Sequence, residues 1–293
     1  MTALFNRDFA LRIGPTPLEI RPPVTPVVDD NKAKTTLRVV FKIEKTKDKA
    51  PNRADVDVYN LSPTNRELLK QYAGDKAQSF PLTIEAGYMN NREMLFKGDI
   101  LTADSYQEGA TWLTPIEASD GGKKYSSARF SKSYGRGTLV TSVLSEVITA
   151  FGIGPGNALA QLSASPRGFF KFQNGVVVKG KIVDILDKYI SSAGYQWSIQ
   201  DEQLQLLQPR TGNQEPLVLL NSSSGLIGSP EKGEKGKIIF RALIQSAIRP
   251  GRRVVVESNT ATGTFVVEKA KYQGDTWGNE WTVEAEATPE GLV

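Results

Sequence analysis

Apolar residues recur along this chain with two different periods, and the switch between them narrows the possible folds more than any single motif. Leu37, Val39, Phe41 and Ile43 alternate with Arg38, Val40, Lys42 and Glu44, and Ala54, Val56 and Val58 alternate with Asp55, Asp57 and Tyr59. Every second side chain of a strand points to one face, so these runs read as strands with one buried side. Strands are also expected over 81–88, 93–103 and 111–118. A short helix precedes them, with Ser62 as its cap, Pro63 at its first position and Gly74 after its end. Upstream, the Pro-rich stretch 14–25 reads as an extended arm or edge.

From residue 139 the period lengthens. Leu139, Val140, Val143, Leu144, Val147, Ile148 and Phe151 fall on one face of a helix, with Thr138 as its cap and Gly152 closing it. A second helix carries Ile182, Val183, Leu186, Tyr189 and Ile190 and ends near Gly194. Tyr195, Trp197 and Ile199, then Leu204 and Leu206, flank Asp201-Glu202 as a hairpin. Period two then returns. Val254, Val255 and Val256 follow a Pro250-Gly251 turn, a strand is expected over 265–271, and Trp281, Val283 and Ala285 alternate with Thr282, Glu284 and Glu286.

With 293 residues the chain exceeds the usual single-domain size. The reading is a mainly β, α+β protein: a β domain over 1–110, a second β domain from 111–136 plus 209–293, and an α/β unit inserted at 137–208. In this arrangement residues 111–135 pair with 215–293.

Composition removes most catalytic chemistry. There is no Cys and no His, which excludes disulfides, the usual zinc sites, Cys-His dyads and Ser-His-Asp triads. A carboxylate-pair hydrolase or a Ser-Lys enzyme stays open. Asp55 and Asp57 share a strand face, but solvent-facing positions explain them better, and Asp99, Asp104, Glu108 and Asp120 have no partner assignable from sequence. Gly152, Gly154 and Gly156 follow a helix, whereas a dinucleotide loop follows a strand, and no GxxxxGK[ST] occurs. Tyr195, Trp197, Trp277 and Trp281 read as core or interface aromatics. No catalytic, metal-binding or cofactor-binding residue is expected, and no cofactor.

The 36 basic and 32 acidic residues leave a net charge of +4 that reads as small and dispersed. Lys42, Lys45, Lys47 and Lys49 come closest to a basic run, but Glu44 and Asp48 dilute them to a solvated strand end and loop. No stretch approaches the roughly 18 to 20 apolar residues that span a bilayer. The N-terminus lacks the basic-then-apolar order of a signal peptide, so no membrane insertion is expected.

Several short runs together resemble the baseplate hub proteins of tailed phages. They are Ser224-Gly225-Leu226-Ile227-Gly228-Ser229-Pro230, then Ile239-Phe240-Arg241-Ala242-Leu243-Ile244, Pro250-Gly251-Arg252-Arg253-Val254, and Tyr272-Gln273-Gly274-Asp275-Thr276-Trp277-Gly278-Asn279-Glu280-Trp281. In that family a GLIGSP turn, a short helix, a PG turn and a GD..GN.W turn recur in this order. The run Asn52, Ala54, Val56, Val58, Tyr59, Asn60, Leu61, Ser62 is similar to the family's opening β domain. The resemblance marks Gly225, Gly228, Pro230, Pro250, Gly251, Gly274, Asp275 and Trp281 as structural turn residues.

It implies a fold related to the hub of contractile tails and to the matching part of type VI secretion spikes, with two tube-like β-barrel domains per subunit. It implies a homotrimer whose six barrels join a six-fold tail tube to a three-fold central spike, with the tape-measure protein as a further partner. DNA would pass the lumen without specific binding during host entry. Strands such as 37–45 would have edges paired only in that assembly. Such a protein is made in the bacterial cytoplasm and resides in the virion baseplate. The alternatives are another tail protein, a distal-tail protein or tube terminator with six copies, and a cell-wall hydrolase.

Overall fold

The computed structural model describes residues 7–15, 18–21, 37–74, 78–88, 91–164, 170–208 and 211–291. The first third supplies β1 (Arg7–Ile13), β2 (Leu18–Ile20), β3 (Val39–Thr46), β4 (Arg53–Tyr59), α1 (Pro63–Gly74), β5 (Pro81–Tyr88), β6 (Asn91–Ala103), β7 (Tyr106–Glu108) and β8 (Thr111–Ser119). In the middle come α2 (Lys124–Ser127), β9 (Arg129–Tyr134), α3 (Val140–Phe151), α4 (Ala158–Ala164), β10 (Val176–Lys181), α5 (Ile182–Ser192), β11 (Gln196–Gln200) and β12 (Gln203–Leu207). The last third holds β13 (Val218–Leu220), β14 (Leu226–Lys232), β15 (Ile238–Leu243), β16 (Arg253–Glu257), β17 (Thr262–Asp275) and β18 (Trp281–Pro289).

The local chemistry explains these elements. In β3 the residues Val39, Phe41 and Ile43 are buried while Glu44 is exposed. The Ser62 hydroxyl accepts the Asn65 amide at 3.3 Å and so caps α1. Helix α3 ends on Gly152 at φ 72°, a left-handed conformation that favours glycine. Its start differs from expectation. The Thr138 hydroxyl donates to the Gly135 carbonyl and caps nothing in the helix, and Leu139 occupies the cap position. The β11–β12 hairpin turns on Asp201 and Glu202, both at positive φ (55° and 61°), the pairing that a two-residue type I′ turn requires.

The first and last thirds form one 14-stranded sheet, ordered β14-β15-β18-β17-β3-β4-β8-β6-β5-β1-β2 along its main path. Its seam is β3 against β17, antiparallel from Val40–Asp275 to Thr46–Lys269. Strand β8 lies between β4 and β6. Residues 111–119 therefore pair with the first third, and the expected pairing of 111–135 with 215–293 is corrected: the alternation of β8 matches β4 residue for residue, leaving no edge for the last third. β3 is likewise no edge, because β4 and β17 flank it within the chain. Among the described residues the pairings do not close into a barrel, and the path ends at β14 and β2.

Two further expectations change. The segment over 239–244, a short helix by family resemblance, is strand β15, where Ile238, Phe240 and Ala242 are buried and Ile239 and Arg241 exposed. The GLIGSP run is a turn only up to Gly225 and then becomes β14. Within the Pro-rich stretch, Leu18–Ile20 form the short strand β2 on β1, whereas residues 16–17, 22–25 and the first six of the chain lie outside the described residues.

Apolar burial divides in two. One core runs through both ends of the chain, from Phe9 and Leu11 to Val283 and Ala287. The other is confined to the middle, from Tyr134 to Leu206, with Val147, Leu186 and Leu204 at its centre. No helix among the described residues is long and apolar enough to cross a membrane.

Candidate functional site

The turn between β17 and β18 is built from charge and aromatic packing. Asp275 accepts from Arg38 Nε at 3.1 Å, from Arg38 Nη2 at 2.5 Å and from the Trp277 amide at 2.9 Å. Burial pushes this carboxyl up, but hydrogen bonds from Arg38 and from the Trp277 and Gly278 amides outweigh it and hold it below its ordinary value. Thr276 ties the turn to the start of β3, its amide donating to the Val39 carbonyl and its hydroxyl accepting the Val39 amide. Beneath lies an aromatic cluster in which Phe9 stacks on Phe41 at 5.4 Å and Trp281 meets Phe41 edge-on at 5.6 Å. A Cβ on Gly274 would stand 2.3 Å from Phe41, so only glycine lets the ring lie there. Trp281 is buried and donates its indole N–H to the Gly87 carbonyl, whereas Trp277 stays half-exposed at the tip of the turn.

The free edge β14 is the second element. Ile227 on β14 and Ile239 on the neighbouring β15 are exposed, and a register shift lies between Ile227 and Glu231. Gly228 (φ 68°) sits in that shift, and Pro230 follows, a residue with no N–H to offer the ladder. The opposite edge, β2, is three residues long and charged: Arg12 pairs with Glu19 and Glu85, and Arg21 with Glu19. Short charged edges resist pairing.

The third element joins the two cores. The Pro250-Gly251 turn abuts hairpin β11–β12, and a Cβ on Gly251 would stand 2.5 Å from Leu207. On the other side of the hairpin, Lys45 Nζ bonds both carboxylate oxygens of Asp201 at 2.7 Å. Asp120 accepts the Asn52 amide at 2.8 Å, Asn52 Nδ2 at 2.7 Å and the Asp201 amide at 3.2 Å. Asn52 Nδ2 also donates to the Ile199 carbonyl, and Gln200 Nε2 donates to the Thr46 carbonyl. Burial is the largest influence on Asp120, with the neighbouring Asp201 charge acting in the same direction. Together they outweigh the Asn52 hydrogen bonds and the Lys45 charge and push its carboxyl up to about 7.

The sequence profile of the baseplate hub gp41 family matches residues 23–287. The chain belongs to that family. It is thus a structural component of the phage tail baseplate, located in the virion. Three solved structures share the fold. The 43 kDa tail protein of prophage MuSo2 from Shewanella oneidensis is 8% identical with a TM-score of 0.61, over 97% of this chain and 98% of that one. A tail protein from Neisseria meningitidis MC58 is 8% identical with a TM-score of 0.60, over 98% of each chain. The E. coli c3393 protein, a type VI secretion component described as similar to the T4 tail proteins gp27 and gp5, is 10% identical with a TM-score of 0.55, over 87% of this chain and 74% of that one. No curated protein sequence matches.

Of the turn residues marked by resemblance, Gly274, Asp275 and Trp281 come together in one cluster of this hub-family chain. Gly225, Gly228 and Pro230 lie along the β14 edge, and Pro250 and Gly251 at the junction with the inserted unit. They form no common pocket. Asp55 and Asp57 stand on the outward side of β4, where Asp55 pairs with Arg53, and among the described residues no group of three or more carboxylates is placed to hold a metal ion. Tyr195, Trp197 and Trp281 are core residues.

Sequence reasoning missed the junction. Lys45 is not a solvated strand-end lysine but is only 3% exposed. Its signal was present: it continues the Val39, Phe41, Ile43 alternation, and a lysine in register with a buried apolar row requires a carboxylate partner.

Proposed function

We propose that the chain assembles as a homotrimeric ring that joins the six-fold tail tube to the three-fold central spike and lets DNA pass at host entry, with mechanical and not catalytic work. The observation that carries this reading is the sheet itself. Its two regions, β3 to β2 on one side of the seam and β17 to β14 on the other, support a reading of two tube-like units per subunit, with which three copies would offer six docking surfaces to a six-fold tube. Among the described residues neither region closes on itself, and in this reading the open edge at β14 is where a neighbouring copy would continue the sheet. The tail tube, the central spike and the tape-measure protein are the partners this ring requires.

The test is the mass of the full chain with its neighbouring tail proteins, by light scattering. Three copies per particle agree with the hub. Six copies favour a distal-tail protein or tube terminator, and a persistent monomer contradicts both.

A further inference from the structure

The positive charge of the chain is not dispersed. Residues 121–183 contain nine Lys or Arg and a single acidic residue, Glu146, leaving 27 basic against 31 acidic residues elsewhere. The fold gathers part of that excess on the two-stranded ribbon β9–β10, whose strands, among the described residues, pair only with each other. Register places Lys181 opposite Arg129, Lys179 opposite Ser131 and Val177 opposite Ser133, and all six side chains are exposed. The other face of the ribbon covers the inserted unit's own core with Tyr134 and Val178. Lys132, the cation on that side, is neutralised by Glu146 at 2.7 Å.

On the outward face no such neutralisation exists. Among the described residues, Arg129, Lys179 and Lys181 meet no carboxylate within ion-pairing distance, nor do the exposed Arg136 and Lys171. Like charges placed directly opposite destabilise a ribbon. Arg129 against Lys181 is therefore a local cost to folding, with a polyanion as its natural counterpart.

We infer that the outward face of β9–β10 is a sequence-independent contact surface for the phosphate backbone of duplex DNA. Cations alternating with serine hydroxyls are the groups that contact phosphate oxygens, and a two-stranded ribbon fits the width of the major groove. An acidic protein is the poorer match, because the centres of protein interfaces are depleted in lysine and this face carries one apolar side chain, Val177. A lipid surface is poorer still, since peripheral insertion needs a broad apolar face. The inference does not depend on the ring: the ribbon belongs to a single chain.

Fluorescence anisotropy of the intact chain with a 30-base-pair duplex of arbitrary sequence tests it. Binding is expected at micromolar protein in 50 mM salt, weakening roughly 40-fold by 200 mM if three phosphates are engaged. The Arg129→Gln/Lys179→Gln/Lys181→Gln variant is expected to bind at least tenfold more weakly, with the salt slope reduced by about three. A Lys42→Gln/Lys232→Gln/Lys269→Gln variant, which removes equal charge from the large sheet, is expected to bind as the parent does, with circular dichroism verifying that both variants fold. The inference is overturned by no binding at 50 mM salt, by equal losses in the two variants, or by binding to polyglutamate or to phosphatidylglycerol vesicles in preference to the duplex.

Discussion

Two solvent-facing β surfaces of this chain treat charge in opposite ways. On the large sheet, Lys271 stands between Glu44 on β3 and Glu284 on β18, Lys269 opposite Glu286, and Glu44 opposite Arg53. Arg53 also reaches Glu117 at 2.8 Å, and Arg241 reaches Glu280 at 2.9 Å. Here charges alternate across strands, so the surface is close to self-neutral and contributes modestly to strand pairing. On the β9–β10 ribbon, Arg129 faces Lys181, and among the described residues neither is in an ion pair. The lesson is that net charge is a poor guide to binding. Cross-strand ion pairs on the sheet set opposite charges against each other, while three cations on a small ribbon, none of them in an ion pair among the described residues, carry part of the excess.

The comparison extends to the interior, where the largest effects are expected. Trp281→Ala removes the centre of the Phe9–Phe41–Trp281 cluster and should cost about 3 to 5 kcal/mol. Chemical denaturation followed through Trp197, which lies in the other core, should show that core unfolding separately from the sheet. A single shared transition would show the two cores to be one cooperative unit. Lys45→Ala strands the Asp201 carboxylate at the junction and should cost about 3 kcal/mol, read as a lowered denaturation midpoint.

The junction also has a pH dependence whose sign is fixed. The Asp120 carboxyl is raised from 3.8 to about 7, so the folded chain holds its proton more tightly than the unfolded one. Its contribution is fully present in acid, below the unfolded value, and is lost as pH rises through about 7. Relative to Asp120→Asn, the parent should lose about 2 to 3 kcal/mol of stability between pH 5 and pH 8. Parallel stability profiles for the two proteins would remove Asp120 from the account.

The smallest effects are the sharpest for the contrast between surfaces. Arg129→Glu places an acid opposite Lys181 and should stabilise the ribbon by about 0.2 to 1 kcal/mol while weakening DNA binding. Lys271→Glu, flanked by Glu44 and Glu284, should destabilise the sheet by a similar amount and leave DNA binding unchanged. Thermal melts and anisotropy on the same samples check both. If the two substitutions change stability in the same direction, the charge contrast has no energetic basis.

The period of the apolar residues made most of the strands readable, and β5 matches its expected span residue for residue. Pairing was less legible. The β3–β17 seam joins residues more than two hundred positions apart, and nothing in either strand's alternation names its partner. Strand β15 has the alternation of a strand in Ile238, Phe240 and Ala242, a local signal that opposes the short helix implied by the family resemblance. At the junction, Asn52 and Asp120 are ordinary polar residues in sequence and become a buried network only because the Asp201-Glu202 turn is inserted between them and Lys45. The ribbon was hidden differently. Its cations lie about fifty residues apart, each among neutral neighbours, and only the register of β9 with β10 brings them together.

The hub account is tested most directly by averaged electron micrographs of particles assembled from the full chain with its tail-tube neighbour. It predicts a three-fold ring, pseudo-six-fold on its tube side, with an open lumen of roughly 20 Å or more, wide enough for a DNA duplex and its grooves. A true six-fold ring of single units, or a three-fold particle closed at its centre, would contradict it.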